Sequence, residues 1–160
     1  MRYVDPHRRR RSAYRLYTRL LNTRVANWLT RHLIWKVDPF LMRISGGRIG
    51  FGVGLPTALL ETRGARSGRL RRNGVIYFHD GDDVIVIASK LGLPDHPTWF
   101  HNLCAHPDAV LGGEPFRAEV VADDAERTRL WALADNVFPP YAVYRARTSR
   151  TIPIVRLVPR

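Results

Sequence analysis

The run Val84-Ile85-Val86-Ile87-Ala88 is apolar, largely β-branched and short, which reads as a strand buried on both faces. It breaks at once into Ser89-Lys90-Leu91-Gly92-Leu93-Pro94, a turn holding a hydroxyl, an ammonium and a glycine. Asp95 then reads as an N-cap and Pro97 as a first-turn residue, so a helix is expected to carry Trp99, Phe100 and Leu103 until Pro107 stops it. Strand, polar loop and helix start in series offer backbone N–H groups, a positive dipole end and Lys90, which together suit an anion. The same series also serves as an ordinary strand-to-helix connection.

Around this stretch the charge is uneven. The chain has 26 Lys and Arg against 14 Asp and Glu, a net of +12. Residues 1–48 hold 12 of the basic residues against only Asp5 and Asp38, a net of +10, so the remaining 112 residues are nearly balanced. This divides the chain into a basic amphipathic N-terminal arm, 1–48, and a core domain, 49–160, long enough for one core. In the arm, Arg8-Arg9-Arg10-Arg11 precede Tyr14, Tyr17, Leu21, Val25, Trp28 and Leu29 at helical spacing, with Arg15, Arg19, Arg24 and Arg31 on the other face. No apolar run reaches the roughly 18 residues that span a bilayer, and charges interrupt every candidate signal peptide. Such a helix suits peripheral contact with an anionic membrane through residues 8–35, and equally suits packing on its own domain. A nucleic-acid arm lacks any accompanying motif. The expected location is the cytoplasm, or the inner face of the plasma membrane if the arm engages lipid. Ser45-Gly46-Gly47-Arg48 to Gly54 reads as the junction.

In the core domain, strands are expected near 57–63, 71–78, 83–89, 115–122 and 152–158, with Asp80-Gly81-Asp82 as a hairpin turn and Gly112-Gly113 turning into the fourth strand. Asp123 or Asp124 caps a helix with Leu130, Trp131, Ala134 and Val137 on one face. Pro139-Pro140 ends that helix, and a short one bearing Tyr141 and Tyr144 follows. Antiparallel strands with inserted helices make an α+β chain built on a small barrel.

Several chemistries find no support. No G-x-G-x-x-G follows a strand, and Ser89 has neither a G-x-S-x-G context nor an evident His–carboxylate pair. His96, His101 and His106 recur every five residues, about 140° apart on a helix, so they share no face for a metal. The lone Cys104 excludes an intrachain disulfide framework and a Cys-based zinc site, and its apolar helix predicts a buried, inert thiol. Redox chemistry here needs a borrowed carrier.

Three motifs stand in order: T-x-G-x-x-S-G-x-x-R from Thr62 to Arg71, A-S-K-x-G-x-x-x-x-P-x-W from Ala88 to Trp99 with Asn102-Leu103 after it, and P-x-Y-x-x-Y followed by R-T-x-R-x-I-P from Pro139 to Pro153. Over about residues 50–160 the chain resembles the deazaflavin-dependent nitroreductase and quinone reductase family, within the split-barrel flavin and deazaflavin oxidoreductases. The resemblance implies a split β-barrel and coenzyme F420, whose side chain carries a phosphate and an oligoglutamate tail. It implies hydride transfer from the reduced deazaflavin to a small-molecule electron acceptor, quinone-like or nitro-type. By motif position, Arg66, Ser67, Arg71, Gly74, Ser89, Lys90 and Asn102 are the implied cofactor contacts, with Ile87 and Trp99 lining the site. Arg63, Arg69 and Arg72 could join Arg66 and Arg71 in clamping the anionic tail, since guanidinium binds phosphate and carboxylate bidentately; a solvated basic turn is the plainer reading. Arg66 stands where many family members have Lys, Gly74 where a proline is common, and Phe138 and Ile76 where relatives carry tyrosine. Tyr144, Tyr141 and Ser89 are the implied catalytic residues. The tyrosines lie three apart on a helix, so both hydroxyls can face one acceptor, or both rings can simply pack in the core. Two alternatives remain: an FMN-dependent or heme-handling split barrel, and a non-enzymatic module that binds membrane or nucleic acid through the arm.

Overall fold

The computed structural model describes residues 1–8, 13, 14, 18 and 55–160. The glycine junction and most of the amphipathic pattern of the arm lie outside the described residues. Six antiparallel strands close into a barrel: β1 (Thr57–Arg63), β2 (Leu70–Asp80), β3 (Asp83–Ile87), β4 (Asp108–Leu111), β5 (Glu114–Val120) and β6 (Ile154–Pro159), in the order β1-β2-β3-β6-β5-β4. Helix α1 (Thr98–Ala105) joins β3 to β4, and α2 (Asp124–Val137) and α3 (Pro140–Ala146) join β5 to β6.

Local chemistry accounts for most boundaries. Gly81 takes φ +65 between β2 and β3, where any side chain would be strained, and Gly112 and Gly113 take φ +58 and +90 between β4 and β5. Asp123 is the cap of α2, its carboxylate accepting from the Glu126 N–H at 2.7 Å. Leu130, Ala134 and Val137 bury one stripe of α2. Trp131 is only half-buried, with the Arg145 guanidinium 4.2 Å over its ring. The core runs through the barrel, where Leu60, Ile85, Leu111, Ile154, Val155 and Leu157 are fully buried.

The structure departs from the sequence reading in four places. β4 was not expected; four residues between a proline and two glycines carry too little pattern, and their pairing with β1 and β5 makes them a strand. β3 ends at Ile87, because Ala88 and Ser89 leave the ladder for a turn. Asp95 does not cap α1. Pro97 occupies that position without a side-chain bond, and Asp95 is exposed two residues upstream. Cys104 is exposed rather than buried: α1 buries Trp99, Asn102 and Leu103, and the next residue turns about 100° onto the outer side.

Residues 1–8 lie along the barrel. The Tyr77 hydroxyl donates to the Arg2 carbonyl at 2.8 Å, and the His79 N–H donates to the Val4 carbonyl at 3.0 Å. The Val4 N–H donates back to His79 Nδ1 at 3.1 Å, so that ring nitrogen must be unprotonated. Burial holds the His79 pKa below its ordinary 6.5, against the pull of Glu114. Further along, the Tyr14 hydroxyl donates to the Val137 carbonyl at 2.8 Å, which ties this part of the arm to the end of α2.

Candidate active site

The β1–β2 connection is a basic hairpin closed by its own backbone. The Gly64 N–H donates to the Arg69 carbonyl and the Gly68 N–H to the Gly64 carbonyl, both at 2.8 Å. Arg66, Ser67 and Arg69 are exposed in it, and Arg71 is exposed at the start of β2. Arg72 pairs with Glu61 at 2.9 Å, whereas Arg63, Arg66, Arg69 and Arg71 have no anionic partner among the described residues. Cross-strand register puts Arg71 opposite buried Thr62, and Arg72 and Gly74 opposite Glu61 and Leu59. Alternation therefore places Arg71 on the face that carries Thr62 and Leu60, and Gly74 on the other face. The structure does not bring Gly74 to the same side as Arg71.

Helix α1 ties this hairpin to the rest of the site. The buried Asn102 side chain donates through Nδ2 to Thr62 Oγ1 at 3.0 Å and accepts through Oδ1 from the Ala65 N–H at 2.9 Å. Trp99, one turn earlier on the same stripe, is buried, as is Ile87 at the end of β3. Asn102 thus spends one donor and one acceptor on holding the hairpin.

The Ser89–Leu93 loop is a tight turn closed by two successive i→i+3 hydrogen bonds, Gly92 N–H to the Ser89 carbonyl and Leu93 N–H to the Lys90 carbonyl, on a backbone that is not helical. Lys90 and Leu91 take φ +44 and +58, two consecutive left-handed residues that are not glycine. Each such residue costs on the order of 1–3 kcal/mol, and residues of this kind cluster at functional sites. Gly92 follows at φ +75, and a Cβ there would lie 2.5 Å from the Tyr144 carbonyl oxygen and 3.1 Å from Tyr144 Cα. The loop is therefore pressed against the backbone of α3 at Tyr144. Lys90 is about one-third exposed, and its 3.8 Å contact with the well-exposed Asp95 is a weak competitor for its charge. The Ser89 side-chain hydroxyl has no hydrogen-bond partner among the described residues.

Tyr141 and Tyr144 are both buried, their ring centroids 6.2 Å apart and nearly perpendicular, with Phe138 packed against each. Neither hydroxyl has a hydrogen-bond partner among the described residues. Burial pushes the Tyr144 phenol up to about 12, opposed by Arg147, and pushes Tyr141 up as well. Both stay protonated near neutral pH and can act only as neutral donors or acceptors there.

One residue with no role read from the sequence stands at the centre. Arg150, in the R-T-x-R-x-I-P motif, donates to the carbonyls of Leu93 and Ser89 at 2.8 Å and of Ala88 at 3.2 Å, and meets His96 Nδ1 at 2.9 Å. The motif marks the residue, but no local signal says which carbonyls a guanidinium some 60 positions away will meet. His96 lies ahead of α1, and its ring centroid is 5.9 Å from that of His101. The described residues contain no cluster of three or more His, Cys, Asp or Glu able to hold a metal. None of their helices is long and apolar enough to cross a membrane.

A closed six-stranded barrel with a strained cationic loop pressed against a tyrosine helix defines a protein of the split-barrel class. Solved structures agree. The F420-H2-dependent reductase FDR-A is 33% identical with a TM-score of 0.57, over 64% of this chain and 93% of that one. HutZ, the heme storage protein from Vibrio cholerae, shares the fold at 15% identity and a TM-score of 0.51, over 78% of this chain and 90% of that one. The chain belongs to the F420H(2)-dependent quinone reductase family, which it matches over residues 36–159. An F420H(2)-dependent quinone reductase of Mycobacterium tuberculosis is 36% identical over 147 residues, covering 85% of this chain and 99% of that protein. The family is one of F420-dependent oxidoreductases, so coenzyme F420 is favoured over FMN or heme, and an enzyme over a binding module.

Proposed function

We propose that this protein passes a hydride from reduced coenzyme F420 to a quinone-type acceptor at a site bordered by the Ser89–Gly92 loop and α3. The observation that carries the reading is the contact at Gly92, which seats a cation-bearing, strained loop directly on the backbone of Tyr144. The residues fit the cofactor's chemistry. Arg66 and Arg71, exposed and without anionic partners among the described residues, suit the phosphate and the glutamate tail, as does Lys90. Ser67 and the Ser89 hydroxyl add neutral donors, and Ile87 and Trp99 supply an apolar wall for the ring system. Asn102 acts through the hairpin it latches, and Gly74 supplies backbone only, on the far face of β2.

When bound, the reduced deazaflavin supplies both electrons together as a hydride. The chain's own part is to orient and to stabilise. Tyr144, protonated at neutral pH, donates a hydrogen bond to an acceptor oxygen as negative charge develops there, with Tyr141 beside it. Burial makes that donor effective, because little water competes for the oxygen. The 1–48 arm, with its net +10, gives peripheral contact with anionic membrane, and residues 49–160 form the catalytic domain.

Fluorescence titration with coenzyme F420 and with FMN, followed by an acceptor screen that includes a quinone and a nitro compound, tests this. F420 should bind more tightly than FMN and less tightly as salt rises. Arg71→Ala and Lys90→Ala should each weaken binding about tenfold or more, the worth of one charge-assisted hydrogen bond. FMN binding without F420 binding refutes the reading.

A further inference from the structure

Arg150 spends its guanidinium on backbone. Nε donates to the Leu93 carbonyl at 2.8 Å, and Nη2 donates to the Ser89 carbonyl at 2.8 Å and the Ala88 carbonyl at 3.2 Å. Nη1 faces His96 Nδ1 at 2.9 Å, and since guanidinium only donates, that nitrogen offers its lone pair and the ring proton sits on Nε2. No carboxylate is within ion-pairing distance of Arg150 among the described residues. The carbonyls it captures stand on both sides of Lys90 and Leu91, the two left-handed residues. Inside the turn, the Gly92 N–H donates to the Ser89 carbonyl at 2.9 Å and the Leu93 N–H to the Lys90 carbonyl at 3.0 Å. From the opposite side, the Ala88 N–H donates to the Pro153 carbonyl at 3.0 Å, so the segment just before β6 grips the loop at both ends.

We propose that Arg150 is a positioning residue for the cofactor loop: its fork holds the carbonyls flanking Lys90 and Leu91, and so sets the Lys90 ammonium and the Gly92 contact with Tyr144 in one fixed relation. This rests on the functional reading above for what the loop binds, but the mechanical part stands on the hydrogen bonds alone. A strained turn needs an outside restraint to stay populated. A fork of planar donors meets several carbonyls at once, which a single ammonium cannot do. Because the restraint comes from the segment that follows α3, it also couples the cofactor side of the site to the acceptor side.

Arg150→Ala and Arg150→Lys test this with two measurements on the full chain. The first is hydrogen exchange at the Gly92 and Leu93 amides in ligand-free protein, which should quicken in both variants. The second is titration with oxidised coenzyme F420. If the competent loop falls to about a tenth of the population, the apparent Kd rises about tenfold. Millimolar guanidinium chloride should restore part of the affinity of Arg150→Ala, beyond an equal concentration of sodium chloride, and should slow the exchange again. A general loss of fold would not respond in that way. If Arg150→Ala does not fold, Arg150→Lys carries both measurements. Unchanged exchange at Gly92 and Leu93 overturns the positioning role whatever the cofactor does. Quickened exchange with F420 affinity within about twofold of wild type overturns the link to the cofactor. If the wild type itself fails to bind F420, the functional reading fails, and the exchange result alone decides the role of Arg150.

Discussion

Replacing Asn102 by Ala removes the latch between α1 and the basic hairpin. Two hydrogen bonds go, one of 3.0 Å to Thr62 Oγ1 and one of 2.9 Å from the Ala65 N–H. Each is worth about 1 kcal/mol net, and leaving buried Thr62 short of a partner adds about 1 kcal/mol or more. The sum, about 3 kcal/mol, lowers Tm by about 6–12 °C for a chain of this size. Hydrogen exchange at the Ala65 amide should quicken more than the loss of global stability explains, because the hairpin opens locally. F420 affinity should fall as well, since Arg66 and Arg71 lose their placement. Thr62→Val is the decisive companion. Thr62 is buried with its hydroxyl engaged by Asn102, so a fall in affinity there is expected to travel through the hairpin. A double-mutant cycle of the two should show a coupling of about 1 kcal/mol. A Tm within about 2 °C of wild type and unchanged Ala65 exchange would refute the latch. Loss of affinity in Asn102→Ala alone would make Asn102 a direct cofactor contact.

Three further outcomes are expected. Gly92→Ala forces a left-handed alanine whose Cβ would sit 2.5 Å from the Tyr144 carbonyl oxygen, and should cost about 2–5 kcal/mol in denaturant melts; a loss below about 1 kcal/mol would mean the loop and α3 are not pressed together. Tyr144→Phe removes a buried hydroxyl with no partner among the described residues, so stability should hold or rise by up to about 1 kcal/mol while turnover falls several-fold to about a hundredfold, and equal turnover with several acceptors would reduce Tyr144 to packing. The His79 pKa is lowered in the folded chain, so its contribution is complete above 6.5 and is lost as pH falls through 6.5 towards the folded value; the protection of the Val4 amide relative to its intrinsic exchange rate, measured across that range, should fall on acidification, and a constant protection would show that His79 does not hold residues 1–8.

The strand near 57–63, the glycine at the β2–β3 turn and a cap at Asp123 or Asp124, which the structure assigns to Asp123, were legible in the sequence, because each depends on neighbours within a few residues. The three motifs were legible too, and with them the family and its cofactor. What the sequence could not settle is which groups meet across the barrel. β4 is a strand only because β1 and β5 lie beside it. Cys104 is outside because barrel closure turns Trp99, Asn102 and Leu103 inward. Asn102 read as a cofactor contact, and the fold engages its side chain with Thr62 and Ala65. Arg150 is one basic residue among many in the sequence; only the tertiary structure aims its fork at carbonyls 57 to 62 positions earlier. The left-handed pair at Lys90 and Leu91 has no local cause, since neither residue favours that backbone. Periodicity, caps and turn glycines are short-range energies written in the chain, whereas a strained loop persists only where distant hydrogen bonds and close packing outweigh its cost, and those exist only once the barrel has closed.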